Sequence, residues 1–105
     1  QRQMCIRDRV IGAPIVEELL FRGFLFSQLK TTKLGINGSI ILTSLIWTSI
    51  HLQYDLFLLI PIFLLGLLLG YLMHKYNSLY LVIIVHAVHN LQATLFIEFY
   101  YDYFY

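Results

Sequence analysis

The sequence predicts an all-α fold: a polytopic membrane bundle of about four transmembrane helices. Composition and segmentation carry that expectation. Of 105 residues, 59% are hydrophobic and only 12% charged, and the mean hydropathy is +0.74. A soluble domain carries roughly 25% charged residues, and a small one has too much surface to cover with half that number. Disorder is excluded by the same richness in apolar side chains. The apolar residues fall in four continuous runs separated by short polar breaks, and continuous runs favour spanning helices over alternating barrel strands. A formal charge of +1 leaves no footprint for nucleic acid, and one cysteine, Cys5, excludes a disulfide framework and multi-cysteine zinc sites.

The chain opens with a stretch set apart by its charge. Arg2, Arg7 and Arg9 are three of the seven cations, and the remainder from Val10 holds four cations against five acids. The run Gln1–Arg9 resembles a translated sequencing adapter of the kind found at the ends of metagenomic gene fragments. It is therefore set aside as a non-native tail, with a basic juxtamembrane tail as the alternative. Residues 10–105 form the expected helical domain, a truncated piece of a larger core. A spanning helix needs about 20 mostly apolar residues, and the four segments run from Val10 to Lys30, Gly35 to Gln53, Leu56 to His74 and Ser78 to Phe99. Pro14, near the start of the first, is tolerated there. Pro61 predicts a kink in the third. Gly66 and Gly70 form a Gly-xxx-Gly pair, read either as a surface for close helix approach or as chance in a Gly/Leu-rich run.

Short connections make the helices alternate in direction. Lys30, Lys33 and Lys75 then share one side, expected to be cytoplasmic in a bacterial plasma membrane, and Asp55, Glu98 and Asp102 lie toward the other. The Tyr- and Phe-rich end, 96–105, reads as an interfacial aromatic belt.

Ionisable residues inside spanning helices are costly and mark function by default. The first segment holds Glu17, Glu18 and Arg22, the second ends with His51, and the fourth holds His86, His89 and Asn90. Glu18 and Arg22 are four apart and can pair on one face, which also admits a purely structural role. Glu17 is turned by about 100° from Glu18 and stays available. Trp47 and His51, and His86 and Asn90, repeat the i,i+4 spacing. His74 reads as interfacial and His89 as a packing residue. At 1.5 Å per residue, Glu17, His51, His86 and Asn90 lie about 14 to 22 Å from the lysine end of their helices, in one layer.

These residues resemble the motifs of the CAAX protease and bacteriocin-processing family of intramembrane proteases (CPBP, also called ABI). The family's Glu-Glu-x-x-x-Arg stands here as Glu17-Glu18-Leu19-Leu20-Phe21-Arg22. Its Phe-x-x-x-His stands as Trp47-Thr48-Ser49-Ile50-His51, with tryptophan in place of phenylalanine. Its His-x-x-x-Asn stands as His86-Ala87-Val88-His89-Asn90. The likeness covers about Val10 to Gln92. It implies a helical membrane endopeptidase acting on a peptide or protein substrate among membrane lipids. Glu17 would be the general base on a water. His51 would hold that water, His86 and Asn90 would stabilise the oxyanion, and Glu18–Arg22 would orient Glu17. Glu17, His51 and His86 also match catalytic zinc ligands, as a metalloprotease would need. The metal-free version is preferred, because ligating histidines want an outer carboxylate or carbonyl and Glu18 is expected to be committed to Arg22. Three rival readings are a non-catalytic scaffold or immunity protein of the same fold, a fragment of a proton-coupled transporter, and a pore-lining binding module. The inverted halves of a transporter are not visible.

Overall fold

In the computed structural model, which describes residues 7–52 and 56–104, all four expected segments are helical. Helix α1, 8–29, is built of four abutting pieces: a π segment Asp8–Gly12, an α segment Ala13–Glu18, a π segment Leu19–Leu25 and an α segment Phe26–Leu29. Helices α2, α3 and α4 span Gly35–Ser49, Leu56–Tyr76 and Leu79–Phe104, and no strand occurs among the described residues. The π pieces differ from the plain α-helix expected. The N–H groups of Ala13 and Phe26 reach the carbonyls of Asp8 and Phe21, five residues back, so these stretches hold an extra residue per turn. Helix α1 also begins inside the stretch set aside as a foreign tail, while residues 1–6 lie outside the described residues.

The punctuation has local causes. Asn77 adopts a left-handed backbone, φ 48°, a conformation asparagine tolerates better than most residues, and it stops α3. The Ser78 hydroxyl then accepts the Leu81 N–H at 3.2 Å and caps the start of α4. Helix α2 stops at Ser49, earlier than the hydropathy run implies, and His51 lies in the turn that follows. There the Ile50 and His51 N–H groups reach back three residues, to Trp47 and Thr48, tightening the last turn. Helix α3 runs unbroken through Pro61. Pro61 sits in its second turn, where one backbone hydrogen bond is forgone.

Helices α2 and α3 pack closely and antiparallel. A Cβ on Gly66 would stand 3.0 Å from Ser44 Oγ and 3.1 Å from Trp47 Cε3, and one on Gly70 would stand 2.9 Å from Ile40 Cγ2. The Gly-xxx-Gly pair is thus a seam for close approach, faced by Ile40, Ser44 and Trp47 of α2. Thr43 and Thr48 return their hydroxyls to carbonyls four residues back, at 2.8 and 2.7 Å, so these groups are satisfied within the helix. Helices α1 and α4 also run antiparallel, with Gly23 against Leu79 near one end and Glu18 against His86 further along. Connectivity then places Lys30, Lys33 and Lys75 at one end. Lys30 lies over the ring of Phe26, and Lys75 over those of Tyr71 and Tyr76. The backbone of Glu98 and Asp102 is at the opposite end of α4; Asp55 lies outside the described residues.

Two stretches are long and apolar enough to cross a membrane, Leu56–Tyr76 with mean hydropathy 2.6 and Leu79–Phe96 with 1.5. Only 17% of each window is buried within the chain, so these are not core helices of a soluble domain. Phe57 and Tyr80, for example, are 87% and 82% exposed. The expectation of four spans is met only in part. Helix α2, with 15 residues, is about 22 Å long against a hydrocarbon core of about 30 Å, and α1 is interrupted by three charges.

Candidate active site

The polar residues of α1, α2 and α4 meet around one tryptophan. Glu18 and Arg22 are completely buried. Arg22 Nη1 donates to Glu18 Oε2 at 3.2 Å, and Arg22 Nη2 donates to the Gly66 carbonyl of α3 at 2.9 Å. The same Glu18 oxygen accepts from His86 Nδ1 at 2.7 Å. A buried chain, Gly66 carbonyl to Arg22 to Glu18 to His86, therefore ties three helices together. Glu18 Oε1 and Arg22 Nε are buried with no hydrogen-bond partner among the described residues, so neither group has spent its full bonding capacity.

Glu17 is placed differently. Its side chain is 25% exposed, and Oε1 stands 3.7 Å from His86 Nε2. Its one hydrogen bond from a described residue comes from Trp47 Nε1, at 3.0 Å to the same Oε1. Trp47 is buried. Its ring is met edge-on by His51, with centroids 5.1 Å apart, and by His86 at 5.4 Å. The Arg22 guanidinium lies 4.9 Å from its centroid. His51 Nδ1 donates to the Trp47 carbonyl at 2.8 Å, a carbonyl at the end of α2 that also accepts the Ile50 N–H. Asn90 is half-buried one turn beyond His86.

The structure thus gathers Glu17, Glu18, Arg22, His51 and His86. It corrects two expectations about their pairing. Glu18 and Arg22 do not bond to Glu17; their further partners are His86 and the Gly66 carbonyl. Glu18 is also not committed to Arg22 alone, and both histidines have the Nδ1 partner whose lack argued against metal ligation. Nevertheless, among the described residues no three His, Cys, Asp or Glu side chains are grouped to hold a metal, so Glu17, His51 and His86 do not form a ligand set as they stand. His89 turns away from the cluster and lines a groove of 340 Å³ between α3 and α4, beside Leu65, Leu68, Val88 and Gln92. His74 is exposed near the lysine end.

Two contributors were not among the expected site residues. Trp47 stood only as an aromatic four residues before His51, and its indole N–H was the unused signal. Gly66 stood only as half of a Gly-xxx-Gly pair, and no sequence feature marks its carbonyl as a partner of Arg22.

No curated protein and no solved structure gives a significant match to the chain. A family model described as type II CAAX prenyl endopeptidase Rce1-like matches residues 8–92. That stretch takes in all three motifs and most of the chain, and together with the two long apolar helices it points to an integral membrane protein. The chain belongs to the Rce1-like family of type II CAAX prenyl endopeptidases.

Proposed function

We propose that this chain carries the catalytic centre of an intramembrane endopeptidase that hydrolyses a peptide bond at or in the membrane, with a prenylated CAAX peptide as the substrate class. One observation supports it most directly: a partly exposed carboxylate, Glu17, lies 3.7 Å from a histidine nitrogen whose ring is fixed from behind by a buried carboxylate. That gap is too long for a direct hydrogen bond, yet a water can stand at about 2.8 Å from both atoms. Glu17 takes a proton from this water as its oxygen attacks the scissile carbonyl carbon. Glu17 then returns the proton to the leaving amine, so water is split between the two products. His51 donates through Nδ1 to a carbonyl and so, when neutral, offers Nε2 as an acceptor that holds the water. His86 and Asn90 are the donors to the oxyanion, His86 through Nε2 when protonated on both nitrogens. Glu18 and Arg22 position His86. No step calls for a metal, and zinc remains the ion that Glu17, His51 and His86 would take if they closed further. The lysine end is assigned to the cytoplasm.

The test is hydrolysis of a prenylated CAAX peptide by the complete protein in lipid nanodiscs, with products identified by mass. Glu17→Gln keeps the shape and removes the base, and turnover should fall to background. Full turnover in that variant would reject the assignment.

A further inference from the structure

Trp47 contacts four groups of the site at once, and only one of those contacts is a hydrogen bond from its side chain. We propose that Trp47 is a positioning residue for hydrolysis: its indole N–H fixes the Glu17 carboxylate by Oε1, the oxygen that faces His86 Nε2 across the place of the water. This rests on reading Glu17 as the base.

A glutamate side chain has three rotatable torsions, and a quarter-exposed one beside open space samples several rotamers. Among the described residues the indole is the donor within hydrogen-bond distance of Glu17, since His86 Nε2 stands too far at 3.7 Å. The donor itself cannot move. Trp47 is 2% exposed, the missing Cβ of Gly66 is what admits its ring, and Arg22 lies over its face. The same residue acts a second time through its backbone, because its carbonyl accepts from His51 Nδ1. Trp47 therefore sets the orientation of the base with its side chain and of a histidine with its main chain. A phenyl ring could fill the space, but it has no N–H to donate.

The experiment separates the N–H from the shape. Trp47 is replaced by β-(3-benzothienyl)alanine, an isostere with sulfur in place of the N–H, and in parallel by Trp47→Phe. The assay is prenylated-peptide hydrolysis by the complete protein. Losing one hydrogen bond to a charged group should lower kcat roughly 10-fold or more. KM should stay within about twofold, as for a contact that matters in the transition state. The unfolding temperature of the benzothienyl protein should fall by no more than one hydrogen bond to a charged group accounts for. Trp47 is the only tryptophan in the sequence, so its indole resonance is assigned directly as the ¹⁵N-tryptophan signal that Trp47→Phe removes. Glu17→Ala should move that resonance upfield. Parental kcat in the benzothienyl protein, or an indole resonance unmoved by Glu17→Ala, overturns this proposal alone. Retained turnover in Glu17→Gln overturns the base assignment, and the proposal with it, even where the resonance still moves.

Discussion

The seam between α2 and α3 can be tested by comparing two glycines four residues apart. In Gly66→Ala the new Cβ arrives 3.0 to 3.1 Å from Ser44 and from the six-membered ring of Trp47. In Gly70→Ala it arrives 2.9 Å from Ile40 Cγ2, a branched side chain with little torsional freedom. Overpacking of this kind costs about 1 to 3 kcal/mol, and the better helix propensity of alanine offsets roughly 1 kcal/mol of it. Both variants should therefore lose no more than about 2 kcal/mol of stability. Activity should divide them. At position 66 the ring that yields is the one bonded to Glu17, and the carbonyl beside it holds Arg22. Displacements of about an ångström in a catalytic group can cost 100-fold in rate. We expect peptidase turnover per folded molecule to fall roughly 10- to 100-fold in Gly66→Ala and to stay near the parent in Gly70→Ala. The measurements are thermal unfolding in detergent and turnover normalised to the folded fraction. Equal loss of turnover in the two variants, or full turnover in Gly66→Ala, would refute the idea that this seam seats Trp47.

Two further outcomes follow. Arg22→Ala leaves Glu18 buried with only His86 as partner and should cost about 3 to 5 kcal/mol, seen as lost expression or a lowered unfolding temperature; normal expression with total loss of turnover would make Arg22 a group acting on the substrate. With Glu17 as the base on a water that needs no metal, chelators should leave turnover of the complete protein intact, and loss restored by zinc would make His51 and His86 metal ligands.

What the sequence made legible was local. Spacing of four put Glu18 beside Arg22, and the i,i+4 rule holds even though the helix is π-wound there, because residues four and five apart both remain neighbours in that winding. The common depth of Glu17, His51 and His86, three of the four residues expected in one layer, was also readable, since helix rise and short loops fix height along the bundle. What spacing could not give is how each helix is rotated about its axis. The bond from Glu18 to His86 crosses 68 positions of sequence, and depth is blind to it. Assigning Glu18 to Arg22 alone removed the very carboxylate that orients His86. The early end of α2 was hidden for another reason: hydropathy continues through Ile50 and Leu52, whereas the stop is made by backbone and imidazole bonds to the last carbonyls.

The order in which these charges are neutralised bears on how such a site can exist in a membrane. Charged residues at the centre of an inserting helix cost about 2.5 to 3.5 kcal/mol each, and α1 brings three. Glu18 and Arg22 can pair as soon as α1 is helical, before any neighbour arrives, because both lie on one face of it. The Gly66 carbonyl and His86 become available only as α3 and α4 pack, and they satisfy groups already partly neutralised. Glu17 is the exception. Its partners, Trp47 and His86, are on other helices, and it stays 25% exposed after they arrive. The assembled bundle therefore leaves one carboxylate within reach of water and encloses the other. Two adjacent, chemically identical side chains acquire different surroundings from the faces they occupy: Glu18 joins α1 to α4, and Glu17 stays open to solvent.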